Sequence, residues 1–261
     1  MDRDNRYFIE ALHRGLRVLE AFSEENSSLS LVEIADACGL DKSTAFRFVH
    51  TLEELGYLER DPDSKRYRPG LKVLKLGFSA INHLDLVQLA HPYLKALSQE
   101  TDEATNMALR DGSEIVYVAR ISPLQLVNIN LRVGSRLPVH CTSMGKAHLL
   151  DLEEPALERL LGKGPFQAFT PHTITGLKEL VADLAQARRH EYTIGDEELA
   201  VGMRSVAAPV RNATGEIAAA INVSVSSARV SREELEAHLA VAVVESARHI
   251  STALGNIEYE D

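Results

Sequence analysis

Between Leu29 and Gly56 the chain carries two amphipathic helical repeats with only Gly39 and Leu40 between them, and few folds accommodate that spacing. The first repeat opens at Ser30, an N-cap residue with Glu33 three positions on, the pattern of a capping box. It sets Leu31, Ile34, Ala35 and Cys38 at helical intervals. Gly39 ends it, at a position where a left-handed backbone carries little steric cost. Asp41 then caps a second helix with Ala45, Phe48, Val49, Leu52 and Leu55 along one face, up to Gly56. A break this short cannot let the chain run straight on, so the two apolar faces must meet across a sharp turn. Beyond Gly56, Tyr57-Leu58-Glu59-Arg60 and Lys65-Arg66-Tyr67-Arg68 alternate around Asp61-Pro62-Asp63-Ser64 as a two-stranded hairpin does. Helix, turn, helix and hairpin in this order read as a winged helix-turn-helix, the architecture of a duplex-DNA reader.

The outer face of the second helix holds Lys42, Ser43, Thr44, Phe46, Arg47 and His50. Lysine and arginine donate to guanine edges or phosphates, and serine, threonine and histidine make shorter polar contacts. Lys42, Ser43, Thr44 and Arg47 are the leading expected DNA contacts. Lys65, Arg66 and Arg68 are expected beside the phosphate backbone as a basic wing. The competing reading makes the same module a protein-interaction adaptor with a solvated charged face.

A formal net charge of −10 looks unsuited to a nucleic-acid partner, but it is unevenly spread. Residues 1–82 carry 12 Lys and Arg against 14 Asp and Glu, and residues 83–261 carry 16 against 24. A near-neutral head on an acidic body favours local basic contacts and discourages indiscriminate coating of DNA. With 261 residues, 45% hydrophobic and 25% charged, the chain is long enough for two globular domains. Two distant cysteines, Cys38 and Cys141, the absence of any ~20-residue apolar run and an N-terminus without a signal-peptide core lead to the expectation of a reduced, cytoplasmic protein with no membrane contact.

Three segments are expected: a winged helix-turn-helix over 1–69, a linker helix over 70–84 and a second domain over 85–261. Tyr7 to Phe22, with Ile9, Leu12, Leu16 and Leu19, should complete a three-helix core in the first. Leu71 to Ile81 reads as an apolar linker helix that needs a covering surface, expected from a second subunit. Further on, a helix over Leu86–Glu100 precedes strands at Ala104–Leu109, Ile115–Ile121 and Leu126–Arg132, the first two joined by Asp111-Gly112. Helices follow at Ser143–Leu150, Glu153–Leu161 and Leu177–His190. Strands at Val206–Val210 and Ile217–Val225 form a second hairpin, and a capping box at Ser231-Arg232-Glu233-Glu234 opens a last helix to Gly255. Hairpins with helices gathered on one face make this an α+β domain.

Three ordered blocks now carry a resemblance. They are Leu31-Val32-Glu33-Ile34-Ala35 with Lys42-Ser43-Thr44-Ala45-Phe46-Arg47, the stretch from Gly134 to Ala147 (GSRLPVHCTSMGKA), and Gly195-Asp196-Glu197-Glu198 through Gly202-Met203-Arg204-Ser205 with Ala219-Ala220-Ile221-Asn222-Val223-Ser224. Over nearly its full length the chain resembles the IclR family of bacterial transcriptional regulators. The resemblance implies a mixed α/β, GAF-like effector domain behind the winged helix, and an effector pocket. Matching pocket positions are Leu126, Ile129 and Leu137 as apolar wall, Cys141, Ser143 and Met144 at a helix start, and Gly195, Asp196, Ser205, Asn222 and Ser224 as polar lining. Ser143 and Ser205 stand where several members carry Gly and Cys. A helix start beside Thr142 and Ser143 suits a carboxylate, so a small organic acid, aromatic or dicarboxylic, is the expected effector. The acidic run 196–198 is read as the pocket rim. Cys141-Thr142-Ser143-Met144-Gly145 and Tyr7-Phe8-Ile9-Glu10-Ala11-Leu12 resemble the branch that controls aromatic-acid catabolism by β-ketoadipate and related routes.

An enzymatic reading rests on Ser143-Met144-Gly145-Lys146, a Ser-x-x-Lys, but its companions Ser-Asp-Asn and Lys-Thr-Gly are absent from the chain. The near match to Gly-x-Ser-x-Gly has Cys141 at the first glycine, and a P-loop would need glycine at His140. A metabolite-binding enzyme therefore stands behind the regulator. His140 beside Cys141 lacks the partner spacing of a zinc site, so no metal or other cofactor is expected. The expected partners are operator DNA with an inverted repeat, the acid, and further copies of the chain as a homodimer or a dimer of dimers.

Overall fold

The computed structural model describes residues 7–23, 26–82, 85–122 and 131–256, with the side chains of 78–82 and 85 outside the description. The chain divides into two compact units, Met1–His83 and Leu84–Asp261.

In the first unit α1 (Glu10–Glu20), α2 (Leu31–Cys38) and α3 (Lys42–Glu54) precede a hairpin of β1 (Leu58–Arg60) and β2 (Tyr67–Pro69), and α4 (Leu71–Asn82) follows. Local chemistry sets the turn. Ser30 Oγ accepts the Glu33 amide while Glu33 Oε2 accepts the Ser30 amide, closing the capping box. Gly39 adopts φ 63°, and Asp41 Oδ1 then accepts the amides of Ser43 and Thr44, both at 3.0 Å. Val18, Ile34, Cys38, Val49, Leu58 and Tyr67 meet in the core. Leu29 and Tyr67 exchange backbone hydrogen bonds, which ties the wing to the start of α2.

Two details differ from the sequence reading. The Ile9, Leu12 and Leu16 stripe of α1 is at least half exposed, because the helix packs through Val18, Leu19 and the bare Cα of Gly15 instead. Leu55 is also half exposed, since α3 ends one residue before it. Leu71, Leu74 and Leu76 of α4 are exposed as well.

The second unit is built on one sheet, with strands in the order β5-β4-β3-β8-β7-β6 and every neighbour antiparallel. These strands are β3 (Ala104–Asp111), β4 (Glu114–Ile121), β5 (Arg136–Pro138), β6 (Thr193–Asp196), β7 (Met203–Arg211) and β8 (Ile217–Ser226). The helices are α5 (Asp85–Thr101), α6 (Ser143–Ala147), α7 (Glu154–Leu161), α8 (Leu177–His190) and a C-terminal run. That run starts as α9 (Arg232–Glu234), passes through a π-helical stretch at Leu235–Leu239 and ends as α10 (Ala240–Ala253).

Helices cover both faces of this sheet, not one. Met107, Val206, Ala208, Ile221 and Val223 pack with Leu94 and Leu97 of α5 and Val243 and Ile250 of α10. On the other face Ala108, Ile115, Ala207 and Ala220 pack with Met144 and Ala147 of α6 and Leu180 and Leu184 of α8. Period-two alternation produces the division: in β8, Ile221, Val223 and Val225 turn to the first core, which leaves Asn222 and Ser224 on the face of the second.

The expected strand over 126–132 falls mostly outside the described residues, and Leu131 and Arg132 are not strand. The helix expected to reach Leu150 stops at Ala147. Edge strands β5 and β6, three and four residues long, are too short to show a period.

Gly70 closes the wing by donating to the Tyr57 carbonyl at 2.8 Å, and a Cβ there would lie 2.5 Å from the Gly56 carbonyl oxygen. Gly70→Ala should therefore destabilise the first unit by about 1–3 kcal/mol, read as an earlier transition of that unit in urea, with the second unit's transition unmoved.

Candidate functional site

Two places concentrate chemistry, one in each unit. On α3, Lys42, Ser43, Phe46, Arg47 and His50 are exposed and Thr44 is half-buried. Phe46 and His50, one turn apart, stack with their rings 3° from parallel, a flat surface beside the two cations. Among the described residues Lys42 and Arg47 form no ion pair. Ser43 is partly committed: its hydroxyl donates to Asp41 Oδ1 at 2.7 Å. Hydrogen bonds from Thr44 and Ser43 hold the Asp41 carboxyl well below its usual range.

The wing is less open than its sequence implies. Arg66 reaches Glu33 Oε2 at 2.8 Å and the Ser28 carbonyl at 2.7 Å, so it binds the hairpin to α2. Lys65 donates to the Pro62 carbonyl. Arg68 pairs with Glu59 at 2.9 Å, but both partners are well exposed, and such surface pairs contribute little. Of the three wing cations, Arg66 is the one with a structural task.

In the second unit, a small cavity is lined by Tyr117, Cys141, Thr142, Ser143, Gly195, Glu198, Leu199, Met203, Ser205, Asn222 and Ser224. Six of the residues expected there, Cys141, Ser143, Gly195, Ser205, Asn222 and Ser224, are brought together around it. Leu126 and Ile129 lie outside the described residues. Leu137 and Met144 belong instead to the hydrophobic core on that side of the sheet. Asp196 turns away to Arg204 and Arg232. Thr142, expected at the helix start, and Glu198, from the acidic run, line it too, and Tyr117, Leu199 and Met203 complete it. No local pattern marks these last three, because they reach the cavity only through sheet pairing and the turn after β6.

A directed hydrogen-bond chain crosses the sheet into this cavity. Arg120 Nη1 donates to Asn106 Oδ1 at 2.9 Å, and Asn106 Nδ2 donates to Asn222 Oδ1 at 2.8 Å. Asn222 Nδ2 then donates to Ser224 Oγ at 3.2 Å and Ser143 Oγ at 3.4 Å, and Ser143 Oγ lies 2.7 Å from Ser205 Oγ. A guanidinium has no acceptor, so Arg120 fixes the sense of both amides. Ser143 and Ser224 accept from Asn222, one hydroxyl of the Ser143–Ser205 pair donates to the other, and the remaining hydroxyl protons are left for another acceptor. Thr142 caps α6 by accepting the Gly145 amide at 3.2 Å. Gly145 is required where it stands: a Cβ would lie 2.4 Å from Val139 main-chain atoms.

The acidic run 196–198 splits. Asp196 and Glu197 are held by Arg204, and Glu197 Oε2 also accepts the Gly202 amide. Glu198 alone turns inward. Its Oε1 accepts from Lys146 at 2.7 Å, and the same ammonium reaches Asp183 Oδ2 at 2.9 Å, with Lys146 only 1% exposed. Burial pushes the Glu198 carboxyl up, against the pull of Lys146. Burial also pushes the Cys141 thiol up to about 12, with the charge on Glu198 adding to the rise, so Cys141 is a packed thiol rather than a reactive thiolate.

Comparison with known proteins decides what this arrangement belongs to. The profile of the IclR helix-turn-helix domain matches residues 11–62, and that of the bacterial transcriptional regulator IclR C-terminal domain matches 78–252. The chain belongs to the IclR family. It is 37% identical over 230 residues to a Pca regulon regulatory protein of Pseudomonas putida, covering 88% of this chain and 78% of that one. With the HTH-type transcriptional regulator XynR of Escherichia coli it shares 34% over 247 residues, covering 95% and 98%. A transcriptional regulator from Rhodococcus sp. RHA1 superposes with a TM-score of 0.84 at 35% identity, over 96% and 100% of the two chains. An IclR homologue from Microbacterium hydrocarbonoxydans, solved in complex with 4-hydroxybenzoate, gives 0.81 at 29% identity, over 94% and 98%.

As an IclR-family member the chain is a DNA-binding transcriptional regulator, not an enzyme. The Ser-x-x-Lys coincidence agrees: Lys146 is spent on Glu198 and Asp183, while Ser143 bonds Ser205 and Asn222. Among the described residues no cluster of His, Cys, Asp and Glu is arranged to hold a metal, and no helix is long and apolar enough to cross a membrane.

His148, behind the α6 turn, is buried with Nε2 3.0 Å from the Ala108 carbonyl, and burial lowers its pKa to about 4. The unfolded chain, with a pKa near 6.5, then binds more protons than the folded chain between about pH 6.5 and pH 4, so this group's contribution to stability falls as pH drops through that window. Glu198, shifted upward, acts in the opposite sense. Stability of wild type measured from pH 7 to pH 4.5 should show a steeper acid loss than His148→Gln, by on the order of 2–3 kcal/mol at the low end. Parallel curves would remove His148 as the cause.

Proposed function

We propose that this regulator reads an inverted-repeat operator through α3 and the wing as a homodimer or a dimer of dimers in the cytoplasm, and that a small organic acid, aromatic or dicarboxylic, sets its operator affinity from the cavity in the second unit. One observation carries the effector half. The chain from Arg120 runs through Asn106 and Asn222 to a buried cluster of serine hydroxyls, which holds more protons than its own internal bond uses. An acceptor with several lone pairs, such as a carboxylate, satisfies them. The 4-hydroxybenzoate complex of the Microbacterium relative supports an aromatic acid in particular.

The DNA half rests on the open face of α3. Lys42, Ser43, Thr44 and Arg47 supply base and phosphate contacts, Phe46 and His50 flank them, and Lys65 and Arg68 meet the backbone. Arg66 holds the wing in position. Two heads about one helical turn apart, ~34 Å, match a pseudo-palindrome. The exposed stripes of α1 and α4 supply apolar surface for pairing copies. An effector changes operator affinity only by binding one arrangement of the copies better than another.

Arg47→Ala should lose ~1–3 kcal/mol at the specific site. Arg68→Ala should weaken specific and random duplex alike and reduce the salt slope by about one. Mobility shifts over a salt series with the DNA flanking the gene check both, and equal losses on both duplexes from both variants would show that helix and wing do not divide the work.

Gly195→Ala tests the cavity. Its Cβ would lie 3.1 Å from Ser205 Oγ and 3.2 Å from the Ser143 amide, so it crowds the serine pair that lines the cavity. Operator binding should persist while the response to acids, followed by calorimetry and mobility shift with a panel of aromatic and dicarboxylic acids, is lost. A wild type that neither takes up heat nor changes operator affinity with any of them refutes the acid reading.

A further inference from the structure

Glu198 lines the cavity at 6% exposure, and its Oε2 is a buried side-chain oxygen without a hydrogen-bond partner. Lys146 takes only Oε1, and it is shared with Asp183, so one ammonium faces two carboxylates. Thr170 and Thr173 bond the Glu198 main-chain carbonyl and do nothing for the carboxylate. A buried polar atom left unpaired is costly, and a second carboxylate brought against it would add repulsion. A hydrogen-bond donor relieves it.

We infer that Glu198 Oε2 is a specificity-determining subsite for a donor on the effector, so that the ligand is a hydroxylated acid, its carboxylate on the serine cluster and its hydroxyl donating to Glu198, rather than a plain acid or a dicarboxylate. The inference rests on the acid reading given under Proposed function and narrows it. The two ends of the cavity have opposite needs. Asn222 donates to Ser143 and Ser224, and one hydroxyl of the Ser143–Ser205 pair donates to the other, so the cluster keeps protons from the remaining hydroxyls for an acceptor. Glu198 offers only lone pairs. A ligand that satisfies both must accept at one end and donate at the other, with Tyr117, Leu199 and Met203 as apolar wall between polar groups.

Titration calorimetry of the full chain with benzoate, succinate, 4-hydroxybenzoate and catechol separates the two claims. 4-Hydroxybenzoate is expected to bind at least tenfold tighter than benzoate or succinate, because a site built around a polar partner rejects an analogue that lacks it. In Glu198→Gln, Lys146 will hold the amide oxygen and turn the NH₂ into the cavity. That NH₂ can still donate to the phenol oxygen, but the charge-assisted bond is gone, so the variant should narrow the preference for 4-hydroxybenzoate over benzoate and hold or gain for benzoate. Benzoate equal to 4-hydroxybenzoate on wild type, or equal losses for both in Glu198→Gln, overturns the donor subsite and leaves the acid reading standing. Catechol binding without any acid does the reverse. Binding of none of the four overturns both, and the wild-type comparison decides the matter even if the variant does not fold.

Discussion

Helices pack on both faces of the six-stranded sheet, and that double cover decides the chemistry of the second unit. A strand such as β8, with Ile221, Val223 and Val225 alternating with Asn222 and Ser224, would normally turn its polar half to water. Here that half faces α6 and α8. Its polar groups must find partners inside the protein, and they do so by chaining from Arg120 through two asparagines to the serines. Next to them the same face is filled by Ala108, Ala207 and Ala220, so α6 meets small residues on one side and hydrogen-bonds the polar ones through Ser143 on the other. The cavity forms at that change of side-chain size.

Lys146 extends the same logic. An ammonium at 1% exposure is stable only with charged partners within contact distance, and Glu198 and Asp183 supply them from the turn after β6 and from α8. The helix that presents Ser143 to the cavity is thus fixed at its far end by an ion pair and at its near end by the Thr142 cap. Thr193 adds a third restraint by donating to the Ser143 carbonyl at 2.7 Å. A five-residue helix has little cohesion of its own, and these restraints supply it. They also place the polar groups of the cavity on rigid elements.

Legibility in the sequence followed how local each constraint was. The capping box at Ser30, the Gly39 stop and the Asp41 cap involve residues two to four apart, and the helix-turn-helix could be read from them directly. The helix Leu177–His190 and both hairpins of the sheet were legible for the same reason, since their periods run over enough residues to count. The outward stripe of α1 was not: Ile9, Leu12 and Leu16 have the spacing of a core face, and only the packing of Val18 and Gly15 against the other helices shows which side is inside. Nothing local to Arg66 announces its pairing with Glu33, far back in sequence. In the cavity, six of the residues named by family likeness converge, Leu137 and Met144 go to the core instead, and Glu198 and Asp196, two positions apart on one acidic run, take opposite directions. Chain reversal after β6 decides that, and no spacing rule contains it.

On the proposed reading, the unpaired oxygen of Glu198 is where this geometry meets regulation. A resting cavity that leaves a buried acceptor unsatisfied carries a penalty of about 1–3 kcal/mol, and a ligand that removes it gains that much only in the arrangement where the acceptor is buried. Because coupling between effector and operator equals the difference in effector affinity between two arrangements, a subsite whose value depends on burial is suited to generate such a difference. The serine cluster is a weaker source: its hydroxyls can rotate to bond one another when the cavity is empty, as Ser143 and Ser205 do at 2.7 Å. Glu198, pinned by Lys146, has no such freedom.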